Sequence, residues 1–72
     1  MPIIVNLDVM LARRKMMSKE LAERIGLSET NLSLLKKGHV KGVRFATLAA
    51  ICEVLDCQPG DLLEFRPDAG AD

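Results

Sequence analysis

The sequence has no tryptophan and no tyrosine, and Phe45 and Phe65 are its only aromatic residues. The compact core that a hydrophobic content of 49% permits is therefore aliphatic. Two cysteines, Cys52 and Cys57, are too few for a disulfide framework and are expected as small buried thiols in or beside one helix, in a reducing compartment. The single histidine, His39, raises zinc only to dismiss it: the Cys52–Cys57 spacing is not a CxxC knuckle and a fourth ligand is missing. Nothing arranges a nucleophile with a base, so neither an enzyme nor a cofactor is expected. The longest apolar stretch, Phe45–Leu55, contains Glu53 and is too short to span a bilayer. No basic region precedes the short "IIV" run, so no signal peptide is read there. The expectation is a cytoplasmic protein with no membrane partner.

Net charge is also absent: ten Lys and Arg balance ten Asp and Glu. Its distribution is uneven. Residues 13–44 hold nine cations (Arg13, Arg14, Lys15, Lys19, Arg24, Lys36, Lys37, Lys41, Arg44) against Glu20, Glu23 and Glu29, a net of +6. Residues 45–72 hold Arg66 against six acids, a net of −5. A chain polarised in this way can present a positive face while remaining neutral. Seventy-two residues make one small domain, for which dimerisation is a common source of added stability.

Local signals divide the chain into short elements. "PIIV" is β-branched after a proline and predicts a short strand. Asn6 is placed as the cap of a first helix running to about Met16, with Leu7, Met10 and Leu11 on one face. Met10, Met16 and Met17 are expected as core filling. Arg13, Arg14 and Lys15 read as a solvated helix end. Ser18 is placed as a second cap, with Leu21, Ala22 and Ile25 in phase and Gly26 as a left-handed stop. Ser28 is a third cap, for a helix of about ten residues that Gly38 ends. Phe45, Leu48, Ile51, Cys52 and Leu55 mark the stripe of a fourth helix. Pro59 starts a short fifth helix, and Leu63–Arg66 alternates as a strand able to pair with Ile3–Val5. The organisation expected is an N-terminal strand or arm over 1–6, a helical domain over 7–66 and a frayed tail over 67–72.

The second and third helices, joined by a tight turn at Gly26 with the small Ala22 at their approach, form a helix-turn-helix layout. The segment Ser18 to Gly38 reads "SKELAERIGLSETNLSLLKKG". Its Ser18, Leu21, Ala22, Gly26, Leu27, Ser28, Leu32, Ser33 and Gly38 resemble the Cro/repressor-type (XRE-like) helix-turn-helix family of DNA-binding domains. The resemblance continues through "VRFATLAAICEVLDCQPGDLL", Val43 to Leu63, and covers about residues 7–63.

That resemblance implies an all-α, five-helix, lambda-repressor-like domain, here with short terminal strands, that binds operator DNA as a dimer and regulates transcription in a bacterium. It implies base reading by Glu29, Thr30, Ser33 and Leu34, and Asn31, adjacent to them, is expected to join them. Those residue types have the chemistry that base edges need. Glu accepts from cytosine N4, Asn pairs with adenine, and Thr and Leu touch a thymine methyl. Thr30, Asn31 and Ser33 are also mediocre helix formers, grouped on one short helix without local gain. Phosphate contact is expected from Ser18, Lys19, Ser28, Lys37, His39, Lys41 and Arg44. The family's common pair of an arginine in the first helix and an acid late in the third falls here on Ala12 and Lys36, so both partners are gone together. A homodimer through strands 3–5 and 63–66 is the expected assembly. The competing reading is a protein-interaction or antitoxin-like module with the same fold and little operator reading.

Overall fold

The computed structural model describes residues 3–67. In order these form β1 (Ile3–Val5), α1 (Leu7–Arg13), α2 (Ser18–Ile25), α3 (Glu29–Lys36), α4 (Phe45–Leu55), α5 (Pro59–Leu62) and β2 (Leu63–Phe65). The architecture is helical with one small sheet. Every helix is shorter than an isolated peptide needs to stay helical in water, so packing supplies the stability that propensity cannot. Each contributes one or more residues to a single core: Leu7, Met10 and Leu11 from α1, Leu21 and Ala22 from α2, Leu32 and Leu35 from α3, Ile51 and Leu55 from α4, and Leu62 from α5. Full burial of each such leucine or isoleucine is worth about 1.5–3 kcal/mol. Among the described residues no polar or charged residue is buried.

β1 and β2 pair antiparallel with Ile3 opposite Phe65, Ile4 opposite Glu64 and Val5 opposite Leu63. The ladder continues into Asn6, whose N–H donates to the Leu62 carbonyl at 2.7 Å. The sheet thus ties the start of α1 to the end of α5, as the alternation in the sequence anticipates. β2 ends at Phe65, one residue short of the expected Arg66. Of the expected tail, residues 68–72 lie outside the described residues, as do Met1 and Pro2 of the expected arm.

Several helix ends differ from expectation. α1 stops at Arg13 instead of reaching Met16, because Lys15 turns left-handed at φ 53°. The Lys15 N–H then meets Ala12 O at 3.1 Å and the Met16 N–H meets Leu11 O at 3.0 Å, which closes the last turn. Asn6 holds the N-cap position of α1 as expected, but its side chain makes no cap bond; its Nδ2 donates instead to Glu64 Oε1 across the sheet at 3.1 Å. Ser18 is not a cap. The cap position is Met17, and Ser18 is the first residue of α2. Ser28 does cap, its Oγ accepting the Asn31 N–H at 3.1 Å, although α3 has eight residues where ten were expected.

Arg14 is not simply solvated: its guanidinium binds two backbone carbonyls at the end of α4. Met17 is 77% exposed and fills no core, while Met10 is buried and Met16 half-buried. Phe45 departs most from its expected place on the α4 stripe, at 86% exposed. It is the first residue of α4, where no neighbouring element covers the helix, whereas Ile51 and Leu55 farther along are buried. Cys52 lies in α4 and Cys57 just beyond it, both half-buried rather than enclosed. Burial and the adjacent Cys52 thiol push the Cys57 thiol above its ordinary pKa.

Candidate nucleic-acid interface

The interface is built on the α2–α3 corner. Gly26 takes φ 71°, a left-handed conformation that a side chain would strain, and the Leu27 N–H closes onto Ala22 O at 3.0 Å. Ala22, 2% exposed, lets the two helices approach closely. Leu32 and Leu35 anchor α3 from below, at 0% and 8% exposure. At its far end Gly38 takes φ 76°, and the His39 N–H returns to Leu34 O at 2.9 Å.

This anchoring fixes which edge of α3 faces outward. Glu29, Thr30 and Asn31 are exposed in the first turn, Leu34 is 40% exposed one turn later, and Lys37 is exposed at the end. Ser33 is half-buried beside them. All five residues expected to read bases therefore lie on one helix, four of them open to solvent. The side-chain amide of Asn31 has no hydrogen-bond partner among the described residues, its backbone N–H being the group that Ser28 satisfies.

The expected phosphate contacts surround that edge. Lys19 and Ser28 are exposed at the starts of α2 and α3. His39 and Lys41 are exposed in the loop after α3, and Arg44 is exposed at the start of α4. Arg44 and Asn31 border one open cleft, together with Leu27, Val40 and Thr47. Among the described residues Arg24 is held by Glu20 at 2.7 Å, but Lys19, Lys37, Lys41 and Arg44 have no carboxylate within 4 Å. Their charge is thus available to an incoming polyanion. The other ion pair among the described residues joins Arg66 to Glu64 of β2.

Ser18 is the exception within the expected set. It is half-buried, and its Oγ accepts a hydrogen bond from Lys36 Nζ at 3.1 Å. Lys36 is not among the phosphate contacts expected from the sequence. The only signal was the replacement of an expected acid by a cation at position 36, and its partner lies 18 residues away. Among the described residues no three His, Cys, Asp or Glu side chains gather as metal ligands, and no helix is long and apolar enough to cross a membrane.

Residues 6–68 match the Cro/C1-type HTH DNA-binding domain. A protein of Bacillus subtilis (strain 168), described as the uncharacterized HTH-type transcriptional regulator YozG, is 59% identical over 68 residues, 94% of this chain and 81% of that protein. Among solved structures, the transcriptional regulator VanUg superposes with a TM-score of 0.71 at 34% identity, covering 88% of this chain and 83% of that one. A candidate DNA-binding protein from Bacteroides fragilis has the same fold at a TM-score of 0.76 and 24% identity, over 86% of this chain and 98% of that one. With its five helices, its outward-facing third helix and this match over most of its length, the chain belongs to the Cro/C1-type helix-turn-helix family of DNA-binding transcriptional regulators.

Proposed function

We propose that this protein is a sequence-specific repressor that sets α3 into the major groove of operator DNA. The observation that carries the proposal is the outward edge of α3, where Glu29, Thr30, Asn31 and Leu34 stand exposed above a fully apolar anchor and are flanked by cations without acidic partners. Asn31 offers a bidentate pair to adenine, Glu29 an acceptor for cytosine N4, and Thr30 and Leu34 apolar contact with a thymine methyl. Ser33 reaches the same bases from the side of the helix. Ser18, Lys19, Ser28, Lys37, His39, Lys41 and Arg44 hold phosphates on either side and supply most of the affinity. The protein acts in the cytoplasm and has no catalytic role.

The functional unit is a homodimer. The two-stranded sheet of Ile3–Val5 and Leu63–Phe65 is marginal alone, and an unpaired strand edge can extend it into a second copy. Exposure of the cross-strand pair Ile3 and Phe65, at 45% and 65%, supports that site of association. Two copies then present two α3 helices to half-sites about one helical turn apart.

Affinity for duplex DNA measured across salt concentrations tests the reading. Wild type should bind with a steep salt dependence, and Lys37→Glu with Lys41→Glu should weaken binding strongly. Unchanged affinity in that double variant would turn the assignment to a protein-interaction module on the same fold. A monomer in sedimentation at high concentration would remove the dimer.

A further inference from the structure

Among the described residues, Lys36 is the one cation near the interface held in place through a neutral side chain. It sits in the last turn of α3, half-buried, and its Nζ donates to Ser18 Oγ in the first turn of α2 at 3.1 Å. Among the described residues no carboxylate lies within 4 Å of it. Asp8 and Glu29 border the same open cavity as Ser18, Lys19 and Lys36, but neither pairs with the ammonium. An ammonium has three donors and Ser18 takes one. The charge is therefore uncompensated, and water screens it less than a fully exposed lysine. The hydrogen bond also joins two helices, so the cation is fixed relative to both, while Lys19 and Lys37 keep their side-chain freedom.

We infer that Lys36 is a phosphate-binding and positioning residue: held by Ser18, its ammonium meets a DNA backbone phosphate at the notch between α2 and α3. This rests on the DNA-binding reading above and adds to it a contact that a merely structural hydrogen bond would not make. Ser18 then acts chiefly through Lys36, orienting the cation and leaving two donors for phosphate oxygens. A lysine ordered before binding loses less side-chain freedom on contact than its free neighbours.

The slope of log affinity against log salt separates charge contribution from packing, because each phosphate neutralised adds about 0.9 to its magnitude. The probe is a labelled duplex of mixed sequence, about two helical turns long. Lys36→Met, which keeps the length of the side chain but not its charge, removes one contact from each protomer of the dimer, so it should reduce the slope by about 1.8 and make the loss of affinity between about 50 and 200 mM salt roughly 12-fold smaller than in wild type. Lys36→Arg should keep the wild-type slope. Should Lys36→Met fail to melt cooperatively, Lys36→Gln is judged by the same criterion. An unchanged slope in the neutral variant, with affinity either retained or lowered equally at every salt concentration, would reduce Lys36 to an interhelix tie and overturn the inference while leaving the DNA reading intact. Wild type without salt-dependent binding to the duplex would overturn both.

Discussion

Arg14 fastens the end of α1 to the end of α4: its Nε donates to the Leu55 carbonyl at 2.6 Å and its terminal nitrogen to the Asp56 carbonyl at 2.9 Å. Lys15 and Asp56, at φ 53° and 50°, are the only non-glycine residues with positive φ among those described, and both adjoin this contact. Asp56 closes α4 as Lys15 closes α1, with the Cys57 N–H reaching Cys52 O at 3.0 Å. The guanidinium thus binds the left-handed turn at Asp56 from the residue just before the left-handed Lys15. Arg14→Met should lower unfolding stability by about 1.5–3 kcal/mol, the worth of a hydrogen bond to a charged donor. Chemical denaturation checks this, and a change below about 0.5 kcal/mol would mean that the two turns hold themselves.

Gly26 tests backbone conformation separately from packing. An added Cβ would meet nothing within 4 Å, so the whole cost of Gly26→Ala comes from its φ of 71°. The substitution should destabilise the domain by about 1–2 kcal/mol, and Gly26→Asn, which tolerates the left-handed region, by less. Equal melting temperatures for the two variants would contradict this.

The Glu64 carboxyl is held below its ordinary pKa, first by the hydrogen bonds from Arg66 and then by the one from Asn6. A carboxylate with a depressed folded value contributes stability that is complete above its unfolded pKa and is lost as pH falls through the folded one. Glu64→Gln should therefore flatten the acid side of the profile of melting temperature against pH, below the ordinary glutamate range, and leave the slope near neutrality unchanged. Matching acid limbs would show that the sheet contacts do not distinguish the two protonation states.

Much of this fold is legible because its signals are local. Ser28 caps α3 through an amide three residues on, Gly26 and Gly38 mark left-handed stops, and Pro59 begins α5. The strand pairing follows from alternation at the two ends of the chain. Asn6 and Ser18 give the same capping signal as Ser28, yet distant partners claim both side chains: Glu64 for Asn6 and Lys36 for Ser18. Lys15 and Asp56 carry no glycine to announce a left-handed turn, and the arginine that holds the α4 end lies 41 and 42 residues from the carbonyls it binds. Phe45 keeps the period of the α4 stripe but precedes the part of the helix that anything covers. The candidate interface is readable for a related reason: it is concentrated on one helix and the loop after it, and the helical period together with Leu32 and Leu35 fixes which edge turns outward. Lys36 escapes such a reading, because its bond to Ser18 is a contact between helices.

Base reading belongs to the exposed edge of α3 on the proposed function. Selection of bound duplexes from a random pool, run in parallel with wild type and with Thr30→Ala combined with Asn31→Ala, tests it most directly. Wild type should enrich a palindromic pair of half-sites about one helical turn apart. The double variant should lose about 1–3 kcal/mol of discrimination for each base pair read and enrich a weaker motif, while still binding mixed-sequence duplex. A wild type that enriches no motif, or a double variant that enriches the same motif as strongly, would contradict the account.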